Sequence, residues 1–509
     1  MAHNRAERVK YNFISNVINK VTVLIFPFII RTVLIQKLGA EYLGLGSLFT
    51  SILQVLNMAE IGFSSAIVYS MYKPIAENKV DEICALLRFY KKAYRIIGIT
   101  ILTVGMVVLP FVPRLIKDSY PADINIYVLY LFFLTDTVVS YLFSAYKTSL
   151  LIASQRQDII SAVDTVIVLS RSLVQLILLI IVSDYYIYVI CNIIFTLINN
   201  IAIARVTSKR FPFYVCRGEI EKSKKSAIIQ QVKGLAIGKV TKVSRNSFDS
   251  IVLSMYCGLI DLAIYSNYYC IFTAVINVIA ILVNSLTASV GNSVAVESRE
   301  KNYNDFKCFN YFFAWLGGWC TICMFCLYQP FMALWMGKEL VASDSTMILF
   351  CIYFYITQMG QARALYSAAA GLWWELRYLQ VAEMLLNLIL NFLLGYFWGM
   401  NGILAATIIT VFFFSIIGIT RMTYKIYFRK SFIEYCWAIG KYAFVTVVGL
   451  IITNSICSIV TLKGISEVLV KACICIFVPN AFFLILSLVN KQHFGYLSKM
   501  FKLCCSVSK

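Results

Sequence analysis

The chain has 509 residues, of which 60% are hydrophobic and only 14% charged, with a formal net charge of +20. Soluble globules carry about 25% charged residues, so these proportions exclude one and leave an all-α integral membrane protein: apolar windows of the roughly 20 residues that cross about 30 Å of hydrocarbon recur from end to end, too long and too seldom alternating for barrel strands. The surplus of Lys and Arg would suit nucleic acid, but its distribution along the chain points to membrane topology instead.

About fourteen spans are predicted. The first, Tyr11 to Gln36, carries Asn12, Asn16, Lys20, Pro27 and Arg31 on nearly one face of a 3.6-residue helix. Such a face cannot look at lipid, and with a proline inside the span it suits a helix lining a water-filled cavity. The second, Tyr42 to Tyr72, carries Glu60; the third is Ala93 to Val112; the fourth, Ile124 to Tyr146, carries Asp136. The fifth, Ile159 to Val182, holds Asp164 and Arg171, and the sixth is Tyr185 to Ala204.

A basic inner connection follows, and then the least hydrophobic span, Ala227 to Cys257, with Gln230, Gln231, Lys233, Lys239, Lys242, Arg245, Asn246 and Asp249. Here Lys242, Arg245 and Asp249 share a face. A span so charged is stable only against an aqueous vestibule or an anionic ligand, or else as an interfacial amphipathic segment. The eighth and ninth are Leu262 to Val290 and Phe309 to Leu327; Cys320, Cys323 and Cys326 in the ninth lie on an apolar helix with no nearby His and read as small packing residues. The tenth, Thr346 to Ala370, contains Arg363, and the eleventh, Tyr378 to Trp398, contains Gln380, Glu383, Asn387 and Asn391. The last three are Ile403 to Tyr424, Tyr435 to Leu462 and Val468 to Asn490.

Within this order the chain repeats itself. Ile18-Asn19-Lys20-Val21-Thr22 returns as Ile237-Gly238-Lys239-Val240-Thr241, and the same offset pairs Gly39 with Gly258, Leu43 with Leu262 and Asp164 with Glu383. Two parallel six-helix copies are a known transporter architecture. The expected organisation is a first bundle over 1–206, a basic cytoplasmic linker over 207–225, a second bundle over 226–425, and two further helices with a basic cytoplasmic tail over 426–509.

With the N terminus inside, 31 of the 45 basic residues fall in inner segments or at the inner edges of spans and only Lys37, Arg114, Lys117, Lys338 and Lys463 in outer loops, as the positive-inside rule requires. Both termini are therefore expected in the cytoplasm, and no nucleic-acid partner is implied. The sixteen cysteines form no disulfide framework, the two histidines are terminal, and no glycine-rich phosphate loop precedes a helix. Neither an enzyme nor a cofactor is expected.

The whole chain resembles the polysaccharide and oligosaccharide flippases of the multidrug/oligosaccharidyl-lipid/polysaccharide (MOP) exporter superfamily. The resemblance rests on the six-plus-six arrangement, on Leu56-Asn57-Met58-Ala59-Glu60-Ile61-Gly62-Phe63 and on Pro330-Phe331-Met332-Ala333-Leu334-Trp335-Met336-Gly337. It implies a V-shaped pair of bundles that moves an undecaprenyl-pyrophosphate-linked oligosaccharide repeat unit across a bacterial plasma membrane by alternating access. Membrane lipids would surround a monomer, with a polymerase and other glycan-assembly proteins as partners. A pyrophosphate crossing hydrocarbon needs charge-assisted hydrogen bonds, and Arg offers phosphate a bidentate fork. Arg31, Arg245, Arg171 and Arg363 are therefore the first expected substrate contacts, supported by Lys20, Lys239, Lys242 and Asn16. Glu60, Asp136, Asp164, Asp249 and Glu383 are the candidates for ion coupling. The alternatives are an ion-coupled multidrug antiporter of the same superfamily, in which those acids would dominate, and an integral-membrane polysaccharide polymerase or glycosyltransferase, which would need a larger external loop.

Overall fold

The structure is a computed structural model that describes residues 22–23, 25–117, 120–142, 146–489 and 495–496; among them no strand occurs. Lys20, Asn12 and Asn16 lie outside the described residues. Helix α1 covers 25–37. It is followed by α2 (Ala40–Leu56), α3 (Phe63–Ala76), α4 (Val80–Val108), α5 (Ile126–Leu142), α6 (Tyr146–Ala153), α7 (Gln157–Ile181), α8 (Tyr185–Arg210) and α9 (Lys222–Cys257). Beyond these run α10 (Leu259–Val296), α11 (Arg299–Met336), α12 (Asp344–Met359), α13 (Gln361–Ala369), α14 (Arg377–Thr410), α15 (Thr420–Thr423), α16 (Phe432–Ser458) and α17 (Ile465–Val489).

The repeat is visible in the breaks between helices. Gly39, between α1 and α2, has φ 116°, and its counterpart Gly258, between α9 and α10, has φ 92°. Both need the conformational freedom that glycine alone has there. Helix α4 begins at Val80 and α11 at Arg299, in step with the same offset. The turn around Ser183 that separates α7 from α8 has its counterpart inside α14, where Gly399 adopts φ 54° and ψ −132° and breaks the helical run.

Contacts divide the chain into two compact units, Met1–Ala263 and Ile264–Lys509, the division falling in the first turns of α10. In the first unit an apolar cluster of Ile67, Met71, Leu86, Tyr90, Leu150 and Ile228 ties α3, α4 and α6 to the start of α9. The linker before α9 is held on the acidic first turn of α4: Arg217 reaches Asp81 at 3.1 Å, Lys224 reaches Glu82 at 2.7 Å, and Arg88 donates to the Gly218 carbonyl at 3.0 Å. These pairs are largely exposed, so they set position more than stability. Further along, α9 turns Thr241, Ser244, Ser247 and Ser254 inward, small side chains that let membrane helices approach closely; Ser247 donates to Gln54 of α2 at 3.3 Å. In the second unit, Phe272, Tyr328, Phe350 and Phe354 form an aromatic core shared by α10, α11 and α12.

Among the described residues eight helices are long and apolar enough to cross a bilayer, or up to nine if α5 and α6 count as one. The predicted second span is interrupted by a 3₁₀ turn at Asn57–Glu60, the tenth is split between α12 and α13, and the eleventh and twelfth lie on the single run Arg377–Phe428. Charge keeps α9 off that count. Large apolar side chains cover the outside, among them Val107, Phe477 and Ile181, the last 76% exposed. In water such a surface would drive aggregation; in lipid it is the ordinary boundary. Exposed aromatics flank the first arm of α14, with Trp374 and Tyr378 at one end and Tyr396, Phe397 and Trp398 at the other, as interfacial belts do.

A Cβ on Gly402 would lie 1.9 Å from the Leu394 carbonyl oxygen and 2.4 Å from its carbon, a backbone clash that no rotamer relieves. Gly402→Ala should cost more than about 2 kcal/mol and lower the thermal midpoint in detergent. Gly440→Ala, whose Cβ meets nothing within 4 Å, should leave the midpoint unchanged or raise it slightly.

Candidate functional site

Interior charge in the first unit gathers around two places. The first is built on the broken second span. Helix α2 ends in the 3₁₀ turn Asn57–Glu60, and Gly62, at φ 93° and ψ −24°, starts α3. The break puts the Glu60 carboxylate among aromatic hydroxyls: Tyr94 of α4 and Tyr141 of α5 both donate to it, with the Lys239 ammonium of α9 in electrostatic reach. Lys239 itself donates to Ser65 of α3 at 3.2 Å. Tyr90 stacks edge-on against Tyr94, ring centroids 4.4 Å apart, and shares hydrogen bonds with Ser64 and Ser149. An acid inside hydrocarbon is tolerated only with such partners.

The second place is centred on Tyr188 of α8, which is half-buried and has both Arg171 of α7 and Arg31 of α1 in electrostatic reach. Arg171 acts on Asp136 of α5 as well; the Asp136 carboxylate accepts from Thr196 while its Oδ1 has no partner. Four helices thus converge on two guanidinium groups, one carboxylate and one phenol. Two guanidinium groups near one phenol, with Asp136 beside Arg171, give the kind of directed donors an anionic guest can use.

On α9 the three charges expected to share a face differ in burial. Lys242 is exposed, Arg245 lies beside it, and Asp249 is only 1% exposed. Asp164 is held by Asn199 at 3.1 Å, and Gln175 donates to Asn192 at 3.0 Å, so polar pairs join α7 to α8. The second unit repeats this device across the Gly399 break: Asn387 donates to Thr407 at 3.1 Å and to Thr410 at 3.3 Å, beside the buried Glu383. Arg363 is 9% exposed and donates to Ser415 at 2.9 Å, with Glu383 and Tyr435 in electrostatic reach. Its Nε has no partner.

Of the predicted site residues, the structure therefore brings Arg31 and Arg171 to Tyr188 and Asp136 to Arg171, sets Glu60 with Lys239 and Lys242 with Arg245, and places Arg363 with Glu383 in the interior of the second unit. Asp164 is taken up by the α7–α8 contact. Sequence reasoning missed Tyr94, Tyr141, Tyr188 and Thr196. Polar side chains such as Thr196 and Asn199 inside apolar spans were a usable signal; the tyrosines, lost among 32 of their kind, were not.

Similar architectures are known. The lipid II flippase MurJ in an inward-closed conformation matches with a TM-score of 0.61 at 16% identity, over 93% of this chain and 98% of its own. An inward-facing multidrug-resistance MATE transporter of the MOP superfamily matches at 0.60 and 13% identity, over 81% of this chain and 96% of its own. The fold is that of the MOP-superfamily transporters. A third such structure, a MOP-superfamily transporter from Pyrococcus furiosus described by the reverse polarity of its binding pocket, matches at 0.54 and 13% identity, over 83% of this chain and 96% of its own. No protein-family model matches the sequence, and no curated protein does either. The MOP-type fold and the apolar helices make this a multi-pass membrane protein whose structural neighbours are transporters and flippases.

Replacing Glu60 by Leu would leave the Tyr94 and Tyr141 hydroxyls without their acceptor, a loss of about 1–3 kcal/mol per buried group. The thermal midpoint of Glu60→Leu should fall by several degrees, whereas Glu60→Gln, which keeps an acceptor, should retain most of the wild-type value. Equal midpoints for the two would show that the carboxylate does not hold these helices together.

Proposed function

We propose that the protein is a flippase that carries a lipid-linked oligosaccharide, an undecaprenyl-pyrophosphate repeat unit, across the bacterial plasma membrane by alternating access, for surface or secreted polysaccharide. The observation that carries this reading is the grouping of Arg31 and Arg171 around Tyr188, with Asp136 beside Arg171. A diphosphate leaving water needs fixed cations in place of its hydration, and guanidinium groups supply both charge and directed donors. Arg245, Lys242 and Lys239 on α9 extend the same chemistry. Fold extent favours it too: the lipid II flippase spans 93% of this chain, whereas the multidrug transporters span 81–83%.

The chain works as a monomer in this reading, with both termini in the cytoplasm, two transport halves at 1–206 and 226–425, and a polymerase taking up the product. Glu60, Asp136, Asp164, Asp249 and Glu383 are the groups through which an ion could drive the cycle. The antiporter reading draws its support from Glu60, whose carboxylate sits at a helix break as a coupling acid would.

The leaflet distribution of lipid-linked glycan, measured in a host with and without this chain, separates the readings. Accumulation on the cytoplasmic side in its absence is the expected result. Intermediates that reach the outer leaflet unpolymerised would favour a polymerase, and unchanged glycan with altered drug tolerance would favour the antiporter. Removing one charged contact to phosphate costs about 1.5–3 kcal/mol, so Arg31→Ala and Arg171→Ala should each lower export by about tenfold or more while the protein remains inserted. Lys338→Ala, in an outer loop, should export normally.

A further inference from the structure

Four cysteines of the second unit meet inside the bundle, and the transport reading makes no use of them. Cys326 of α11, Cys457 of α16 and Cys475 of α17 are buried, with their sulfurs all within 4.8 Å of one another. Cys323, one helical turn before Cys326, adds a fourth thiol in hydrogen-bond contact with the Cys475 sulfur. The surroundings are otherwise apolar, Ile322, Trp319 and Phe483 among them.

Three features distinguish this cluster from small residues filling space. Thiolates bound at about 2.3 Å to one ion stand about 4 Å apart, so the three sulfurs need move by less than about 1 Å to share one. Next, the frame around Cys475 is fixed. Pro479 lacks the N–H that would have bonded the Cys475 carbonyl in α17, and Trp319 Nε1 takes that carbonyl at 2.9 Å, with Cys323 Sγ at 3.6 Å. Finally, a cation stands by. Lys471 is in electrostatic reach of Cys326 and Cys457 and reaches Glu467 at 2.7 Å. A lysine within a membrane helix is costly; beside thiolates it offsets the negative charge that metal binding leaves behind.

We infer that Cys326, Cys457 and Cys475, with Cys323 as fourth donor, form a binding site for a thiophilic d10 cation, Zn²⁺ or Cu⁺, that staples α16 and α17 to α11. Soft thiolates select these ions over Mg²⁺ or Ca²⁺. Binding releases the thiol protons to solvent, and no oxidant is consumed. The site stands independently of the flippase reading.

The test uses the full-length chain purified in detergent under reducing, metal-free conditions. After loading with Zn²⁺ or Cu⁺ and gel filtration, the metal retained per chain is counted by mass spectrometry, and Cd²⁺ is added in parallel to read the sulfur-to-metal charge-transfer band. One equivalent of either ion per chain is expected, with a raised thermal midpoint. Cys326→Ser/Cys475→Ser should lose the metal and the band, while Cys436→Ser, at an exposed position, keeps both. Wild-type protein with reduced thiols that retains neither ion and shows no Cd²⁺ band would overturn the site whatever the variants do. So would a disulfide among these cysteines in protein purified without reductant.

Discussion

A backbone carbonyl or amide that leaves its helix inside a bilayer finds no water to replace the lost partner, and the breaks in this chain are arranged around that constraint. At Pro479 the carbonyl of Cys475 is released and an indole N–H from α11 takes it. At Gly399 the chain turns between two runs of one long helix, beside exposed aromatics of the kind that lie at a membrane interface. At Asn57–Gly62 the helix tightens and restarts, and the side chain delivered to the gap, Glu60, is surrounded by phenolic donors.

Side chains obey the same rule, and here the two halves of the repeat part company. The scaffold is duplicated: Gly39 matches Gly258, α4 starts in step with α11, and polar pairs join α7 to α8 as Asn387 joins the two arms around Gly399. Much of the cationic equipment is not. Arg31 and Arg171 have no basic counterparts in the second copy, where Ser250 and Leu390 stand at the matching positions, and Arg245 falls opposite Phe26. Asp164 and Glu383, by contrast, are duplicated, and Asp164 accepts from Asn199 across α7 and α8.

The fold was legible in the sequence where physics acts locally. Apolar length, the repeated pentapeptide and the paired glycines carried the helices and their order, because each depends on a few neighbouring residues. Breaks were harder to read: the second span looked continuous, since Asn57–Gly62 lies within an apolar window and only the geometry at Gly62 stops the helix. The site was legible as a set of charges but not as groupings. Glu60 finds Tyr94 and Tyr141 on later helices, far along the chain, and nothing in an aromatic-rich sequence distinguishes those two tyrosines beforehand. The cysteines show the limit best. Cys323 and Cys326 read as packing residues on their own helix, and only the return of α16 and α17 to α11 supplies Cys457 and Cys475.

The aromatic flanks of the first α14 arm also act as a gauge. Tyr378 is 71% exposed and Trp398 65%, and at 1.5 Å per residue they stand about 30 Å apart along the axis. That equals the hydrocarbon thickness of an ordinary bilayer, so the arm fits nearly upright with both rings at the headgroups. In a membrane several ångströms thinner it would have to lean, at a fraction of a kcal/mol for each ångström of mismatch. Bilayer thickness thereby becomes an input to this half of the protein, felt through the angle of one helix before any substrate is present.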